Sequence, residues 1–432
     1  MVGQLITRNV DIFQCPAPEK HEAVSEITFG DLHGNALNLL HSLLRHGICE
    51  LPKENYDRIV DIYCLPEWKL TSESIAEFNQ LISSLKVINQ EVFVRFLGDE
   101  LGDRGQNDYF VLKMLEIIHQ NDLKFEILLS NHGIAFVDAY ESYDKTGVFD
   151  SELIVYFQRI SLRNLDSLIQ RGIVFLDEIY RIINRHYKPH LKLLSCSLDK
   201  YGKEITIFSH AKIDLSVIEA LADLFEVVYR EDSPQELALT IQQINLNFSK
   251  AVLEEKVNFI SSIKHRSWKF HNTHSNPVEF LIWNRNHEIL DRPANHTLYS
   301  YRLKFIHGHD STEEPYEHLV TLDSMLGKGE NYHIEEARDY LSNDVQILSY
   351  TSSSRGDRDF SFESDKDSVC FTDKSSSEDE EASGVDKEEN SDEQRSSSRQ
   401  DFRSYSRFFD DNTHVEAFFE EEAELSFKAF KF

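Results

Sequence analysis

Cysteine is scarce and scattered. Cys15, Cys49, Cys64, Cys196 and Cys370 form no Cys-x-x-Cys pair. That excludes a disulfide framework and a zinc-thiolate site, and it fits a reducing compartment. No Cys-x5-Arg loop exists either, so neither Cys64 nor Cys196 reads as a nucleophile. Long apolar runs are missing: none reaches the roughly 18 residues that span a membrane. The N-terminal stretch lacks the basic start, apolar run and small-residue cleavage site of a signal peptide, so a soluble protein is expected. Positive charge is in short supply, with 45 Lys and Arg against 75 Asp and Glu, a net charge of −30. Nucleic-acid backbones and anionic membranes are therefore not expected as partners. There is no repeat of solenoid period.

What is present is enough chain, 432 residues at 41% hydrophobic, for a large catalytic domain plus extras. The pattern centres on Phe-Leu-Gly-Asp-Glu-Leu-Gly-Asp-Arg-Gly, Phe96 to Gly105, which follows the apolar run Val92 to Leu97. The run reads as a buried strand and the glycines and carboxylates as a loop at its end. Two similar stretches flank it. Ile27–Phe29 runs into Gly30-Asp31-Leu32-His33-Gly34-Asn35, and Phe125–Leu129 runs into Ser130-Asn131-His132-Gly133. Leu37, Leu40, Leu43 and Leu44 predict a helix over 35–46 that Gly47 ends. Asp108 to His119 reads as another. The resulting βαβαβ order implies a parallel or mixed sheet with crossover helices.

Residues 1–25 read as irregular and 51–91 as a linker followed by a helix. Residues 134–198 read as mainly helical, for example Asp150 to Ile160 and Leu162 to His186. Residues 214–263 are helical with a break near Ser233, which is placed to cap a helix starting at Pro234. Ile205–Phe208 is a short strand ending in Ser209-His210-Ala211. Phe280–Trp283 is an apolar run ending in Asn284-Arg285. Leu303–Ile306 runs into His307-Gly308-His309-Asp310, and Leu319–Leu322 and Val345–Tyr350 read as the last strands. From Thr351 the composition turns to Ser, Asp and Glu, which cannot bury a core and is expected to be disordered.

The three central blocks resemble the calcineurin-like metallophosphoesterases, and among them the phosphoprotein phosphatase branch. Its pattern is Gly-Asp-x-His-Gly, Gly-Asp-x-x-Asp-Arg-Gly and Gly-Asn-His-Glu. The resemblance spans about Ile27 to Leu326. It implies an α/β fold with a metallophosphatase-type β-sandwich core flanked by helices. Residues 1–350 would form the catalytic domain, with helical insertions at about 134–198 and 214–263, and 351–432 the tail. It also implies two divalent metal ions, Mn²⁺ first and Fe or Zn²⁺ next, that activate a hydroxide for direct in-line attack on a phosphomonoester.

By motif, Asp31 and His33 match ligands of the first metal, Asp99 the bridging carboxylate and Asn131 a ligand of the second. His132 matches the general acid, Asp103 the carboxylate that orients it, and Arg104 the first phosphate clamp. His210 and His309 match the remaining histidines of the second metal, with His307 the less favoured choice beside His309. Arg285 resembles the second phosphate-binding arginine of bacterial members, and Leu322-Asp323-Ser324 with Gly327 their closing strand.

Four departures stand out. One extra residue separates Asp99 from Asp103 and is expected to bulge out, displacing Asp103 and Arg104. Ser130 replaces Gly, Gly133 replaces Glu, and Ala211-Lys212 replaces Gly-Gly. The longer loop, the helical insertion and the tail resemble the Wip-type phosphatases, effectors that bacterial pathogens inject into host cells. That resemblance implies a phosphoprotein substrate in a host cell. The glutamate block Glu420 to Glu422 near the end resembles a type IVB secretion address, which implies a secretion machinery as partner. Two other readings stand beside this one: a dimetal phosphodiesterase or nucleotide pyrophosphohydrolase, and a non-catalytic binding protein on the same scaffold.

Overall fold

The computed structural model describes residues 3–19, 21, 24–257, 276–285, 297–298, 300–312, 316–328, 334–343 and 345–347. All belong to one unit, Met1–Thr351. The expectations for the tail, including Glu420 to Glu422, lie outside the described residues.

The chain forms a mixed α/β fold. It opens with β1 (Gln4–Val10), β2 (Val24–Phe29) and α1 (Ala36–Arg45). A two-stranded ribbon of β3 (Cys49–Glu50) and β4 (Lys86–Val87) brackets α2 (Lys53–Tyr63) and α3 (Ser72–Ile82). Then come β5 (Phe93–Phe96), α4 (Asp108–Gln120), β6 (Lys124–Leu128) and α5 (Asn131–Thr146). Residues 160–187 hold α6 (Ile160–Gln170), α7 (Leu176–Ile182) and a π-helical turn, Ile183–Tyr187. After it follow β7 (Leu191–Lys192), β8 (Ser195–Asp199), β9 (Glu204–Ser209), α8 (Leu215–Leu224) and α9 (Pro234–Leu253). The last elements are a short helix, Pro277–Trp283, then β10 (Thr297–Leu298), β11 (Tyr301–His307), β12 (Leu319–Thr321), β13 (Glu335–Asn343) and β14 (Val345–Ile347).

One sheet runs β1-β13-β2-β5-β6-β7 and the other β10-β11-β9-β8-β14, with β12 beside β11. Strands β2, β5 and β6 are parallel, as the βαβαβ reading requires. Strands β9, β11 and β12 are also parallel. Side chains of both sheets meet in one apolar cluster: Leu128 and Tyr340 on one side, Phe208 and Ile306 on the other, with Leu97 and Leu322. Arg95 is buried there too. It donates to Glu126 (2.7 Å) on β6, Ser195 (2.8 Å) on β8 and Thr28 (3.0 Å) on β2, and lies 3.8 Å over the Phe208 ring. A charge at that depth persists only when paired, and Arg95 is paired by Glu26 and Glu126 of its own sheet while Ser195 and the Phe208 ring meet it from the other.

Local chemistry explains most boundaries. Asn35 caps α1 by accepting from Leu37 and Asn38 N–H. Ser233 caps α9 with Pro234 at its first position, as read from sequence. Other readings need correction. Gln4–Val10 is a strand, paired with β13 from Gln4↔Leu341 to Val10↔Glu335. Polar residues outnumber apolar ones in both partners, so neither gave a continuous apolar run. Residues 51–91 hold two helices rather than one. Asp150 to Ile160 is not a helix, and only a 3₁₀ turn, Tyr156–Gln158, occurs there. The Leu162 to His186 helix is broken into α6 and α7, with Gly172 in the left-handed region at φ +67°. Residues 195–198, inside the stretch read as helical, belong to β8. The Phe280–Trp283 run is helical because Asn276 caps it and Pro277 starts it.

Candidate metal centre

Parallel strands deliver the polar blocks to one rim. Asp31 and His33 follow β2, Asp99 and Asp103 follow β5, and Asn131 and His132 open α5 just after β6. His210 follows β9, and His309 follows β11. Carboxyl ends of parallel strands are where such folds collect ligands. Here both sheets contribute, and the blocks interlock. His309 N–H donates to Asp31 Oδ2 (2.8 Å), His210 Nε2 lies 3.6 Å from Asp99 Oδ1 and 2.9 Å from Asn131 Oδ1, and His132 Nε2 lies 3.4 Å from Asp103 Oδ1.

Three imidazoles are anchored alike. The Nδ1 of His33 bonds the Leu326 carbonyl (2.9 Å), that of His132 the Gly102 carbonyl (2.8 Å) and that of His210 the Leu97 carbonyl (2.9 Å). Donation from Nδ1 to a backbone carbonyl fixes each ring's orientation and turns its Nε2 toward the rim, where a neutral ring offers a lone pair. Carboxylate oxygens face the same space. Asp31 Oδ1, His33 Nε2, Asp99 Oδ1 and both oxygens of Asp103 are buried without a hydrogen-bond partner. Buried polar atoms are ordinarily paired, so this concentration of orphans fits donors meant for a cation.

The backbone is strained at the same places. Among the described residues, six that are not glycine have positive φ: His33, Asp99, Asp122, Glu226, Glu255 and His309. Asp122, Glu226 and Glu255 lie two residues beyond the ends of α4, α8 and α9, where a left-handed residue closes a helix. His33 (+54°), Asp99 (+52°) and His309 (+64°) have no such excuse, and strain of this kind persists where a site imposes it.

Charge follows the geometry. Burial first, then Asp323 and Asp99, pushes the Asp31 carboxyl well above its ordinary range. Burial pushes Asp99 up as well, but the imidazoles of His210, His132 and His33 outweigh it and hold Asp99 down at about 2. Burial, then Arg285, drives the His309 imidazole well below its usual value, so it stays neutral and able to ligate. Three sets of donor atoms lie within 4.8 Å of one another: Asp31, His33 and Asp323; Asp31, Asp99 and His210; His33, Asp99 and Asp103. Such mixed N/O sets suit Mn²⁺, Fe or Zn²⁺.

A profile of the WipA-like phosphatase domain matches residues 93–328. The chain belongs to the WipA-like phosphatase family. The phosphatase domain of the Legionella effector WipB is similar at 35% identity, with a TM-score of 0.59, over 66% of this chain and 99% of that one. No curated protein matches. The family match begins at β5, so Asp31 and His33 lie upstream of it and join the rim through the fold.

All ten residues singled out from the sequence of this WipA-like phosphatase gather at or beside that rim. Arg104 Nη1 lies 3.9 Å from Asp103 Oδ1, and Arg285 Nε donates to His309 Nε2 (3.1 Å). His307 turns its Nδ1 to the Gly308 carbonyl (2.8 Å), while the His309 ring lies 5.0 Å from that of His210 and its backbone N–H meets Asp31. The extra residue does not bulge out. Glu100 and Leu101 are buried, Gly102 turns at φ +73°, and Asp103 still reaches His132. Ser130 serves the site: its Oγ accepts from Asp99 N–H (2.9 Å) and from Gly133 N–H (2.8 Å), tying the β5 loop to the start of α5. Glycine is required at 308, where a Cβ would lie 1.9 Å from Asp31 Oδ1.

Asp323 is the residue sequence reasoning missed as a site group. Its Oδ1 lies 3.4 Å from His33 Nε2, and Lys328 Nζ lies 3.4 Å from each of its oxygens. Burial raises its pKa, while the His33 hydrogen bond and Lys328 outweigh it and leave the carboxyl below its usual range. The Leu-Asp-Ser signal was visible, but only the fold brings it 290 residues back to His33.

Proposed function

We propose that this WipA-like phosphatase is a metal-dependent phosphoprotein phosphatase that hydrolyses phosphomonoesters, on a metallophosphatase-type sandwich of its two sheets. The observation that carries the reading is the rim itself: orphaned oxygens of Asp31, Asp99 and Asp103 and the orphaned Nε2 of His33, with His132, His210 and His309 around them and two arginines beside them. Asp31, His33 and Asp99 would hold one cation, and Asp99, Asn131, His210 and His309 a second. Asp323, beside His33, would add negative charge to the first. Divalent cations there supply water activation at neutral pH and neutralise phosphoryl charge.

The chain's own groups do the rest. Arg104 and Arg285 take phosphoryl oxygens by charge-assisted hydrogen bonds. His132, held at Nδ1 by the Gly102 carbonyl and facing Asp103 at Nε2, is placed to hand a proton to the leaving alcohol oxygen as the ester P–O bond breaks. Two arginines favour a terminal phosphate, with three oxygens to bind, over a diester. Turnover of phosphoserine, phosphothreonine and phosphotyrosine peptides is therefore compared with that of a dinucleotide polyphosphate, with Mn²⁺ present. Faster turnover of phosphopeptides is expected, and preference for the polyphosphate would overturn the reading.

We also propose delivery into a host cell, where a phosphoprotein would be the substrate. WipB, its relative, is a Legionella effector, and Glu420 to Glu422 form an acidic block near the C-terminus. Deleting residues 400–432 is expected to abolish translocation of a reporter fusion. Unchanged delivery would sink this part of the proposal.

A further inference from the structure

The lengthened loop between Asp99 and Asp103 and the helical insertion are both departures from the phosphoprotein phosphatase pattern. The structure joins them at one hydrogen bond. Glu100, the residue after Asp99, turns its side chain inward, and its Oε1 accepts from the Tyr187 hydroxyl at 2.6 Å. Both side chains are buried, Tyr187 completely. Tyr187 sits at the end of the π-helical turn Ile183–Tyr187. Such turns are rare and widen the helix enough to re-aim a side chain.

The pair lies under the start of α5. A Cβ on Gly133 would stand 3.6 Å from Glu100 Oε1 and 3.6 Å from the Tyr187 hydroxyl. Gly133 occupies the position at which the family pattern has Glu. A side chain at 133 would start in van der Waals contact with the pair, and position 100 places a carboxyl beside an α5 block that carries none there. Glu100 thus has neighbours on three sides of the site: Asp99 along the chain, α5 with Asn131 and His132 through Gly133, and the insertion through Tyr187.

We propose that Glu100 and Tyr187 are positioning residues, which hold Asp99 in its left-handed conformation and seat the β5 loop against the start of α5. This rests on the metal-dependent reading above. The role assigned to the insertion is specific: its π-helical turn supports the metal loop from behind. Neither residue is expected to touch substrate.

The test uses the full chain with Tyr187→Phe, which removes only a hydroxyl, and with Glu100→Gln. Mn²⁺ affinity is read by calorimetry, kcat and KM with p-nitrophenyl phosphate, and folding by thermal melting. Loss of a support outside the ligand sphere lowers metal affinity by about 10–100-fold. Tyr187→Phe is expected to weaken Mn²⁺ binding by about tenfold and lower kcat at sub-saturating metal, with KM little changed. The double variant is expected to lose little beyond either single one, because the two residues act as one unit. A melting temperature that falls while Mn²⁺ affinity and kcat stay at wild-type values would make the pair merely structural and overturn the proposal. Absence of Mn²⁺ binding and turnover in the wild-type chain would instead overturn the metal-dependent reading itself, so the two failures are distinguishable.

Discussion

Two groups of histidines are packed into this fold, and they are built on opposite principles. At the rim, His33, His132 and His210 give Nδ1 to backbone carbonyls and turn Nε2 toward the carboxylates of Asp323, Asp103 and Asp99. Near the end of α4, His119, His186 and His190 turn ring nitrogens to one another instead. His119 Nδ1 lies 3.0 Å from His186 Nδ1 and 3.3 Å from His190 Nε2. A carboxylate close by, Glu116, is engaged by Lys113 and Arg181. His190 is also anchored at Nδ1, by the Phe125 carbonyl (3.0 Å), but its Nε2 then meets another imidazole, whereas the rim leaves carboxylate oxygens orphaned around shared space. Density of histidine alone therefore does not mark a metal centre. What marks it is the direction of the free nitrogen and the company of orphaned oxygens.

The comparison breaks most sharply with Asp99→Asn. Turnover of p-nitrophenyl phosphate is expected to fall by more than about 100-fold, beyond what the loss of a support outside the ligand sphere does. His190→Gln in the second cluster is expected to leave turnover unchanged. Metal addition sharpens the same contrast. Mn²⁺ at about a hundred times its Kd is expected to raise wild-type stability by about 2.7 kcal/mol, a gain measured as a shift in melting temperature. That shift should vanish in Asp99→Asn and survive in His190→Gln. Arg285→Ala removes one charged hydrogen-bond donor from the rim, and KM for a phosphomonoester is expected to rise about tenfold.

The smallest effect is one of pH. Burial, then His119, pushes the His190 imidazole down to about 3. The unfolded chain therefore binds a proton that the folded chain refuses. This group's contribution is whole above about pH 6.5 and falls as pH drops toward 3. Denaturant midpoints followed from pH 7 to 5 are expected to fall less steeply in His190→Gln than in the wild-type chain. An identical slope in both would remove His190 from the account.

The rim was legible in sequence because its chemistry is local. Asp31 with His33, Asp99 with Asp103, and Asn131 with His132 each sit within a few residues at the end of an apolar run. Their strand order followed from the same runs. Strands β1 and β13 were not legible, because polar residues dominate both and only their pairing makes them strands. Asp323 and Tyr187 were hidden for a related reason. Each acts on a loop far away in the chain, His33 for one and Asp99 for the other, and no spacing records that meeting. The extra residue in the β5 loop was visible, but its direction was not. Gly102 and the buried Tyr187 hydroxyl turn it inward.

The most direct test is hydrolysis of p-nitrophenyl phosphate by the metal-stripped chain, before and after addition of Mn²⁺. No turnover is expected without metal, and restored turnover with it. A folded sample that stays inactive with Mn²⁺, Fe²⁺ and Zn²⁺ alike would contradict it, as would turnover that ignores the metal.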